Sequence, residues 1–215
     1  ILFTSDNGPW IEEHLAGDSP DDNHFGSACP LRGSKMMTWE GGLRVPGIIR
    51  WPGRVPAGRV SDEIVTTMDL LPTFAALAGA ELPTDRQFDG IDMSDFFLGR
   101  SSNSGRSEFI YYAYTHLQAV RQNRWKLVLP RPANPAWTVW YGRMIDAVEQ
   151  PQLYDLHCDL SECRDVAAEH PEIVESLMKR VAQVRNDLGD FDRIGRQARF
   201  FDPAVHRPDM HLWEP

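Results

Sequence analysis

Apolar residues recur at helical spacing near the end of the chain. Between residues 171 and 188 the steps are four, four, three and four, at Ile173, Leu177, Val181, Val184 and Leu188. Pro171 suits the first turn of such a helix, since its missing N–H would be unpaired there in any case. We therefore predict a long helix over 171–188 that covers a neighbouring sheet with its apolar face.

A shorter helix is predicted near the middle of the first half. Its apolar positions are Leu70, Leu71, Phe74, Leu77 and Ala78. Thr66, Thr67 or Asp69 can cap its start, and Gly79 lies near its end. A turn at 89–92 precedes a further short helical piece at 94–98.

Short apolar runs without a helical period predict β-strands. In the first half these runs are 1–4 and 44–51, with turn residues or prolines at their ends. In the second half four runs follow each other, at 109–114, 116–121, 125–129 and 152–156. The close spacing of these four predicts an antiparallel meander.

The order of these elements predicts an α/β fold in two parts. Strand, loop and helix follow each other twice in residues 1–103, which predicts part of a largely parallel sheet with flanking helices. A polar, Gly/Ser-rich stretch at 100–106 marks the boundary. Residues 104–215 are then a smaller α+β domain with an antiparallel sheet, one long packing helix and an irregular tail from 189 to 215.

Composition and charge exclude several classes of partner. The chain has 215 residues, 42% of them hydrophobic, and a net charge of −9 without any run of Lys or Arg. Nucleic acid is therefore not an expected partner. No stretch of about 18 apolar residues is present, so no membrane span is expected. The chain begins inside an apolar, strand-like run without Met, and we expect a further part of the protein upstream.

Asp6 and Asn7 directly follow the first predicted strand. Ligands of open α/β sheets bind beyond the carboxyl ends of the strands. A carboxylate beside an amide oxygen offers hard ligands for Ca²⁺ or Mg²⁺, and Gly8 lets the chain turn away from them. An ordinary turn is the alternative interpretation of this triplet.

Candidate cations and histidines lie in the loops that follow. Lys35 and Arg32 are candidate anion ligands, and a solvated surface position is the alternative for each. Glu40 and Arg44 are four residues apart and could form a structural ion pair. His14 and His24 lie in a long polar loop, where they could contact substrate or transfer a proton, or could simply be solvated.

Several segments, in order, resemble the second half of the arylsulfatase family. The first three are Phe3-Thr4-Ser5-Asp6-Asn7-Gly8-Pro9, Leu31-Arg32-Gly33-Ser34-Lys35 and Trp39-Glu40-Gly41-Gly42-Leu43-Arg44-Val45-Pro46. Further on come Trp51-Pro52-Gly53, Met68-Asp69-Leu70-Leu71-Pro72-Thr73, Phe88-Asp89-Gly90-Ile91-Asp92, Ala119-Val120-Arg121, Trp125-Lys126-Leu127 and Leu153-Tyr154-Asp155-Leu156. The resemblance covers nearly the whole chain.

This resemblance implies a calcium-dependent sulfatase with an alkaline phosphatase-like fold. It implies that Asp6 and Asn7 are metal ligands, with Mg²⁺ as the alternative to Ca²⁺, and that Lys35 contacts the sulfate. The implied substrate is a small sulfate ester or a sulfated carbohydrate. The N-terminal half of the same protein is the implied partner, and a periplasmic, lysosomal or secreted location is typical of the family.

The nucleophile of the family is not found in this chain. It is a formylglycine made from Cys or Ser in a C-x-P-x-R pattern. In Cys29-Pro30-Leu31-Arg32 the proline and arginine are each one place early, and the segment lies in the loop before Lys35. We reject this segment and expect the formylglycine, and the remaining metal ligands, upstream.

Two other functions remain open from the residues. A phosphodiesterase or phosphonate monoester hydrolase of the same superfamily would share the fold, but such enzymes often have His where Asn7 stands. A non-catalytic relative that binds sulfated glycans is the second alternative. Cys158 and Cys163 lie in one loop, where either a disulfide or two free thiols would fit.

Overall fold

The first half of the chain folds into two short strands and three helices. The computed structural model describes residues 1–10, 26–135, 142 and 145–198. Strand β1 (Leu2–Thr4) pairs with β2 (Gly47–Ile49). The helices are α1 (Glu40–Leu43), α2 (Leu70–Ala78), which follows a 3-10 turn at Thr67–Asp69, and α3 (Ser94–Phe97).

The pairing of β1 with β2 is antiparallel, with Leu2 opposite Ile49 and Thr4 opposite Gly47. Every strand pair within the described residues is antiparallel. The largely parallel sheet predicted for this half is therefore not seen there. An α/β sheet needs further parallel strands, and these stay a prediction for the longer protein.

The sequence prediction holds for the end of α2 at Gly79, and the predicted cap is found at the 3-10 turn that leads into the helix. The Asp69 carboxylate accepts a hydrogen bond of 2.8 Å from the backbone N–H of Thr66 ahead of the helix. Gly79 ends it in the left-handed conformation, with φ of 69°, which costs least for glycine. Leu71 and Phe74 of its predicted apolar face are 58% and 48% exposed, whereas Leu70 packs against Met93, Phe96 and Phe97, so the described residues cover this face only in part.

Asp69 is also the centre of a buried polar cluster. Its carboxylate accepts hydrogen bonds from the Arg106 guanidinium, the nearest at 2.5 Å, and from the backbone N–H of Ile91 at 2.9 Å. Gly90 leaves room for this approach, since a Cβ there would lie 1.9 Å from the carbonyl oxygen of Met68. The segment around Asp69 and the turn at Gly90 are thus joined by structural contacts.

Replacing Asp69 by Asn is expected to lower the free energy of unfolding by about 2 kcal/mol at neutral pH, because Arg106 loses its charged acceptor. Burial raises the pKa of Asp69, but the hydrogen bonds from Arg106, Ile91 and Thr66 outweigh it and hold the pKa below its usual value. The wild-type protein should therefore keep this stability above the ordinary carboxyl pKa. It should lose it as the pH falls through the lowered value.

Urea unfolding of the whole protein across an acidic pH series measures both effects. Asp69→Asn should flatten the pH dependence, whereas Asp62→Asn, at an exposed pair with Arg44, should leave it unchanged. Identical curves for wild type and Asp69→Asn would contradict this account.

The second half contains the predicted antiparallel meander. The strands β3 (Glu108–Ala113), β4 (His116–Gln122), β5 (Trp125–Val128) and β6 (Gln152–Asp155) form one sheet in that order. Neighbouring strands are antiparallel throughout, and the register of β3 against β4 shifts between Tyr111 and Tyr112. The meander prediction is confirmed, with strand ends displaced by at most one residue.

Helix α4 (Pro171–Asp187) covers one face of this sheet, and Pro171 occupies its first turn as predicted. Its buried residues belong to the main core cluster, which consists of Leu117, Val120, Leu127, Leu129, Leu153, Val166, Leu177, Val181 and Val184. The prediction of an irregular tail from 189 is wrong at its start. There β7 (Gly189–Asp190) and β8 (Arg193–Ile194) form a small hairpin, which is too short to show a period in the sequence.

Cys29, Cys158 and Cys163 are free and exposed. The structure therefore has free thiols at the two positions where a local disulfide was the alternative. Among the described residues, no helix combines the length and the apolar character needed to cross a membrane.

Candidate functional site

The turn after β1 is fixed against the first residues of α1. Gly8 is buried, and its N–H donates a 2.9 Å hydrogen bond to the carbonyl oxygen of Gly42. A Cβ on Gly8 would lie only 1.8 Å from the carbonyl oxygen of Gly41. The side chain of Asp6 is exposed and that of Asn7 is partly buried. This close backbone approach sets where the oxygens of Asp6 and Asn7 can lie.

Lys35 lies next to the same turn. Its backbone N–H donates a 2.9 Å hydrogen bond to the carbonyl oxygen of Pro9, and its ammonium lies 6.0 Å from the centre of the Trp10 ring. The loop of Lys35 and the turn of Asp6 and Asn7 are thus neighbours through their backbones. A common ion or anion between the three side chains stays a prediction.

The glycine pair Gly41-Gly42 allows the turn of Asp6 and Asn7 and the loop of Lys35 to pack closely against α1. A Cβ on Gly41 would lie 2.4 Å from the carbonyl oxygen of Gly33, and one on Gly42 would lie 2.1 Å from that of Met37. The N–H of Gly41 also donates to the carbonyl oxygen of Arg32 at 2.7 Å. Three backbone segments therefore meet at α1 at distances that only glycine permits, which explains the run of two glycines.

Arg32 is held by protein groups in the structure. Its guanidinium stacks 3.5 Å from the centre of the Trp39 ring and donates to the carbonyl oxygen of Glu162 at 3.2 Å. It also lies 3.5 Å from the Asp146 carboxylate. Arg32 therefore ties its loop to the second half of the chain, and this role differs from the anion ligand that the sequence indicated.

The structural ion pair between Glu40 and Arg44 is not formed. Arg44 lies 3.4 Å from the exposed carboxylate of Asp62. Glu40 instead points inward, where Lys126 lies 3.1 Å and Arg121 3.7 Å from its carboxylate. The spacing of four failed as a guide because α1 ends at Leu43, and Glu40 finds its cations on the antiparallel sheet.

Lys126 and Glu162 form a fully buried charged group together with Glu40. The ammonium of Lys126 lies 2.7 Å from the carboxylate of Glu162. Burial raises the pKa of Glu40, yet Lys126, the Tyr111 hydroxyl and Arg121 together bring it below its usual value. Burial raises the pKa of Glu162 above its usual value despite Lys126. The only sequence feature that indicated this buried charged group was Lys126, a charged residue among apolar neighbours in a predicted strand. No sequence feature indicated that Glu162 belongs to it.

Some candidate residues lie outside the described part of the chain. His14 and His24 are among them, so their roles stay predictions. Over the ranges that the structure describes, no group of three or more His, Cys, Asp or Glu side chains is arranged to hold a metal ion. Asp6 and Asn7 would therefore need ligands from elsewhere in the protein to complete a calcium site.

The chain matches a known family over most of its length. Residues 33–187 match the family described as "N-sulphoglucosamine sulphohydrolase, C-terminal". The chain is 37% identical to steryl-sulfatase of Homo sapiens over an alignment of 194 positions, gaps included, which covers 82% of this chain and 33% of that protein. It is 33% identical to arylsulfatase G of Rattus norvegicus over an alignment of 215 positions, gaps included, which covers 95% of this chain and 40% of that protein. The chain spans less than half the length of these relatives.

Solved structures resemble the fold as well. One, from work on the metabolism of multiple glycosaminoglycans by Bacteroides thetaiotaomicron, has a TM-score of 0.66 and 31% identity, covering 86% of this chain and 38% of that one. A sulfatase from Pseudoalteromonas sp. has a TM-score of 0.62 and 29% identity, covering 86% of this chain and 37% of that one.

Proposed function

The chain belongs to the sulfatase family, and we propose that it forms the C-terminal part of a calcium-dependent enzyme that hydrolyses sulfate esters through an upstream formylglycine. The observation that carries the proposal is the turn of Asp6 and Asn7, fixed through Gly8 against α1 and beside the loop of Lys35. The relatives of the chain are named steryl-sulfatase and arylsulfatase G, which favours a sulfate ester as the substrate.

The residues present fit a calcium site in part. Asp6 and Asn7 offer a carboxylate and an amide oxygen, which are the hard donors that Ca²⁺ takes in proteins, and Mg²⁺ is the alternative. The contact of Gly8 with Gly41 and Gly42 would hold the backbone of Asp6 and Asn7 in place before Ca²⁺ binds, so that little conformational entropy is lost on binding. The remaining ligands are expected upstream.

Lys35 supplies the second positive charge in this proposal. Asp6 and Asn7 would hold Ca²⁺, which supplies positive charge for the nonbridging oxygens of the sulfate. As the S–O bond breaks, negative charge grows on the bridging oxygen. A cation placed beforehand beside the sulfate stabilises that charge more strongly than it stabilises the bound ester. Small sulfate esters and sulfated carbohydrates both fit this chemistry.

The test uses the full-length protein with its formylglycine confirmed by mass spectrometry. An aryl sulfate, the matching aryl phosphate diester and a phosphonate monoester are offered at equal concentration with excess Ca²⁺. Preferential hydrolysis of the sulfate supports the proposal. Preference for the diester or the phosphonate favours the related phosphodiesterase or phosphonate hydrolase. Binding of sulfated glycan without hydrolysis of any ester points to the non-catalytic relative.

We propose that the N-terminal half of the protein covers an apolar surface that is exposed in this chain. Phe3 and Ile48 are opposite each other on β1 and β2, and they are 60% and 59% exposed. Leu71 and Phe74 on α2 are exposed as well. Phe74 lines a groove with Leu2 and Ile49, which point to the opposite face of the strand pair from Phe3 and Ile48. A strand pair with open edges and an apolar face is a site for pairing with further strands.

We expect the 215 residues, when produced alone, to aggregate or to lack a cooperative thermal transition. Co-expression with the upstream half should yield a soluble complex with one transition, because burial of the apolar surface then stabilises both parts. Phe3→Ser with Ile48→Ser should weaken this complex, whereas Val60→Ser, at an exposed loop residue, should not. A soluble monomer of the chain alone with a cooperative melt would refute the proposed contact.

A further inference from the structure

Three charged side chains form an ionic cluster between α1 and the antiparallel sheet. Lys126, Glu40 and Glu162 are each at most 2% exposed. The ammonium of Lys126 lies 3.1 Å from the carboxylate of Glu40 and 2.7 Å from that of Glu162. It also donates a 2.8 Å hydrogen bond to the backbone carbonyl of Thr38, so one cation holds groups from two distant parts of the chain.

Neighbouring groups complete the cluster. The Tyr111 hydroxyl donates to Glu40 at 2.8 Å, and the guanidinium of Arg121 lies 3.7 Å from the same carboxylate. Glu162 accepts the backbone N–H of Glu40 at 2.7 Å. The two carboxylates thus face two cations, and the backbone at the start of α1 is held by the side chain of Glu162.

The cluster connects directly to the proposed site. Glu40 is the first residue of α1, and the carbonyl oxygen of Gly42, two residues later, receives the N–H of Gly8. The loop of Lys35 is bound to the same turn through Pro9. A shift of Glu40 would therefore move the backbone on which Gly8, Asp6 and Asn7 rest.

Stability alone does not explain this cluster. Removing charges from water costs several kcal/mol for each ion, and replacing a buried ionic group by apolar residues of similar size is often neutral or stabilising. What charged groups with fixed partners add is a defined geometry. At a catalytic site such geometry matters, because a misplacement of about 1 Å can cost about 100-fold in rate.

We propose that Lys126, Glu40 and Glu162 are positioning residues, which fix the turn of Asp6 and Asn7 and the loop of Lys35 for sulfate-ester hydrolysis. The inference rests on the proposed function. It assigns to the antiparallel sheet a part in building the site, although none of the three residues contacts substrate in this proposal.

The main test compares a neutral triple variant with the wild-type full-length protein. Lys126→Met, Glu40→Gln and Glu162→Gln together remove all three charges at similar volume. We expect kcat to fall by about 10- to 100-fold with a smaller change in KM. Hydrogen exchange of the Gly8 and Lys35 amides should become at least about tenfold faster, because opening of the turn is no longer opposed by the cluster. Wild-type kcat and wild-type exchange in the folded triple variant would overturn the proposal.

A milder variant keeps the proposal testable if the triple variant does not fold. Tyr111→Phe removes only the hydroxyl that donates to Glu40, and faster exchange of the Gly8 amide with lower kcat is expected; unchanged values would count against the proposal. Glu108→Gln is the control, since it breaks the 2.7 Å ion pair with Arg180 of α4 and should alter neither readout. If the wild-type protein hydrolyses no sulfate ester, the proposed function fails, while hydrogen exchange still decides the positioning role.

Discussion

Lys35→Ala should lower kcat for an aryl sulfate by about 10²–10³-fold while the protein stays folded. The size follows from the loss of a single preorganised group that faces developing charge, as when one oxyanion donor is removed. The loss should fall mainly on kcat, since the charge that Lys35 meets is larger in the transition state than in the bound ester. Steady-state kinetics of the full-length protein with confirmed formylglycine measure it.

The matched control for this experiment is Lys179→Ala. Lys179 lies on α4 in an exposed pair with Glu175, so its removal changes the net charge equally without touching the site. It should leave kcat unchanged. A Lys35→Ala variant with wild-type kcat would remove Lys35 from the mechanism, and equal losses in both variants would mean that only overall charge matters.

Asp6→Ala should act through the metal. Loss of an outer-shell partner costs metal sites about 10–100-fold in affinity, so loss of a charged ligand should raise the calcium concentration for half-maximal activity by at least about 100-fold. Excess Ca²⁺ should restore part of the activity, because the other ligands and Lys35 remain. A calcium titration of sulfatase activity, paired with calorimetric measurement of calcium binding, gives both quantities.

Comparing Lys35→Ala with Asp6→Ala separates the role of Lys35 in charge stabilisation from that of Asp6 in metal binding. Lys35→Ala should keep the wild-type calcium midpoint, and Asp6→Ala should recover part of its kcat at saturating calcium. Asp85→Ala, which removes an exposed carboxylate far along the chain, serves as the charge control. Wild-type calcium dependence in Asp6→Ala would show that Asp6 is not a ligand.

Local patterns in the sequence predicted most elements of the second half. Leu177, Val181 and Val184 recur at helical spacing, and all three are buried on α4 against the sheet. In the first half, Gly79 ends α2 as predicted, because the left-handed conformation at that position favours glycine. Such features depend on neighbours in the chain and are therefore visible in one sequence.

Long-range contacts were the part that sequence patterns could not supply. Lys126 bonds to Thr38 and Glu40 nearly ninety residues away, and no spacing rule reaches that far. The partners of Glu40 were therefore assigned wrongly to Arg44, its neighbour in the chain. The resemblance identified Asp6, Asn7 and Lys35 as a group, and the structure adds that the backbones of their segments are bonded to each other.

The glycine contacts around α1 have a consequence for protein engineering. A mutagenesis library intended to alter substrate range would gain nothing at Gly8, Gly41 and Gly42, where any side chain collides with backbone. A Cβ on Gly47, in contrast, would meet no other atom within 4 Å, so Ala fits there sterically. Variation is better placed at loop side chains such as those of Cys29 and Leu31, with Arg32, Gly33 and Lys35 left untouched. Each clone then retains the close backbone contacts around α1 while the side chains near Lys35 change.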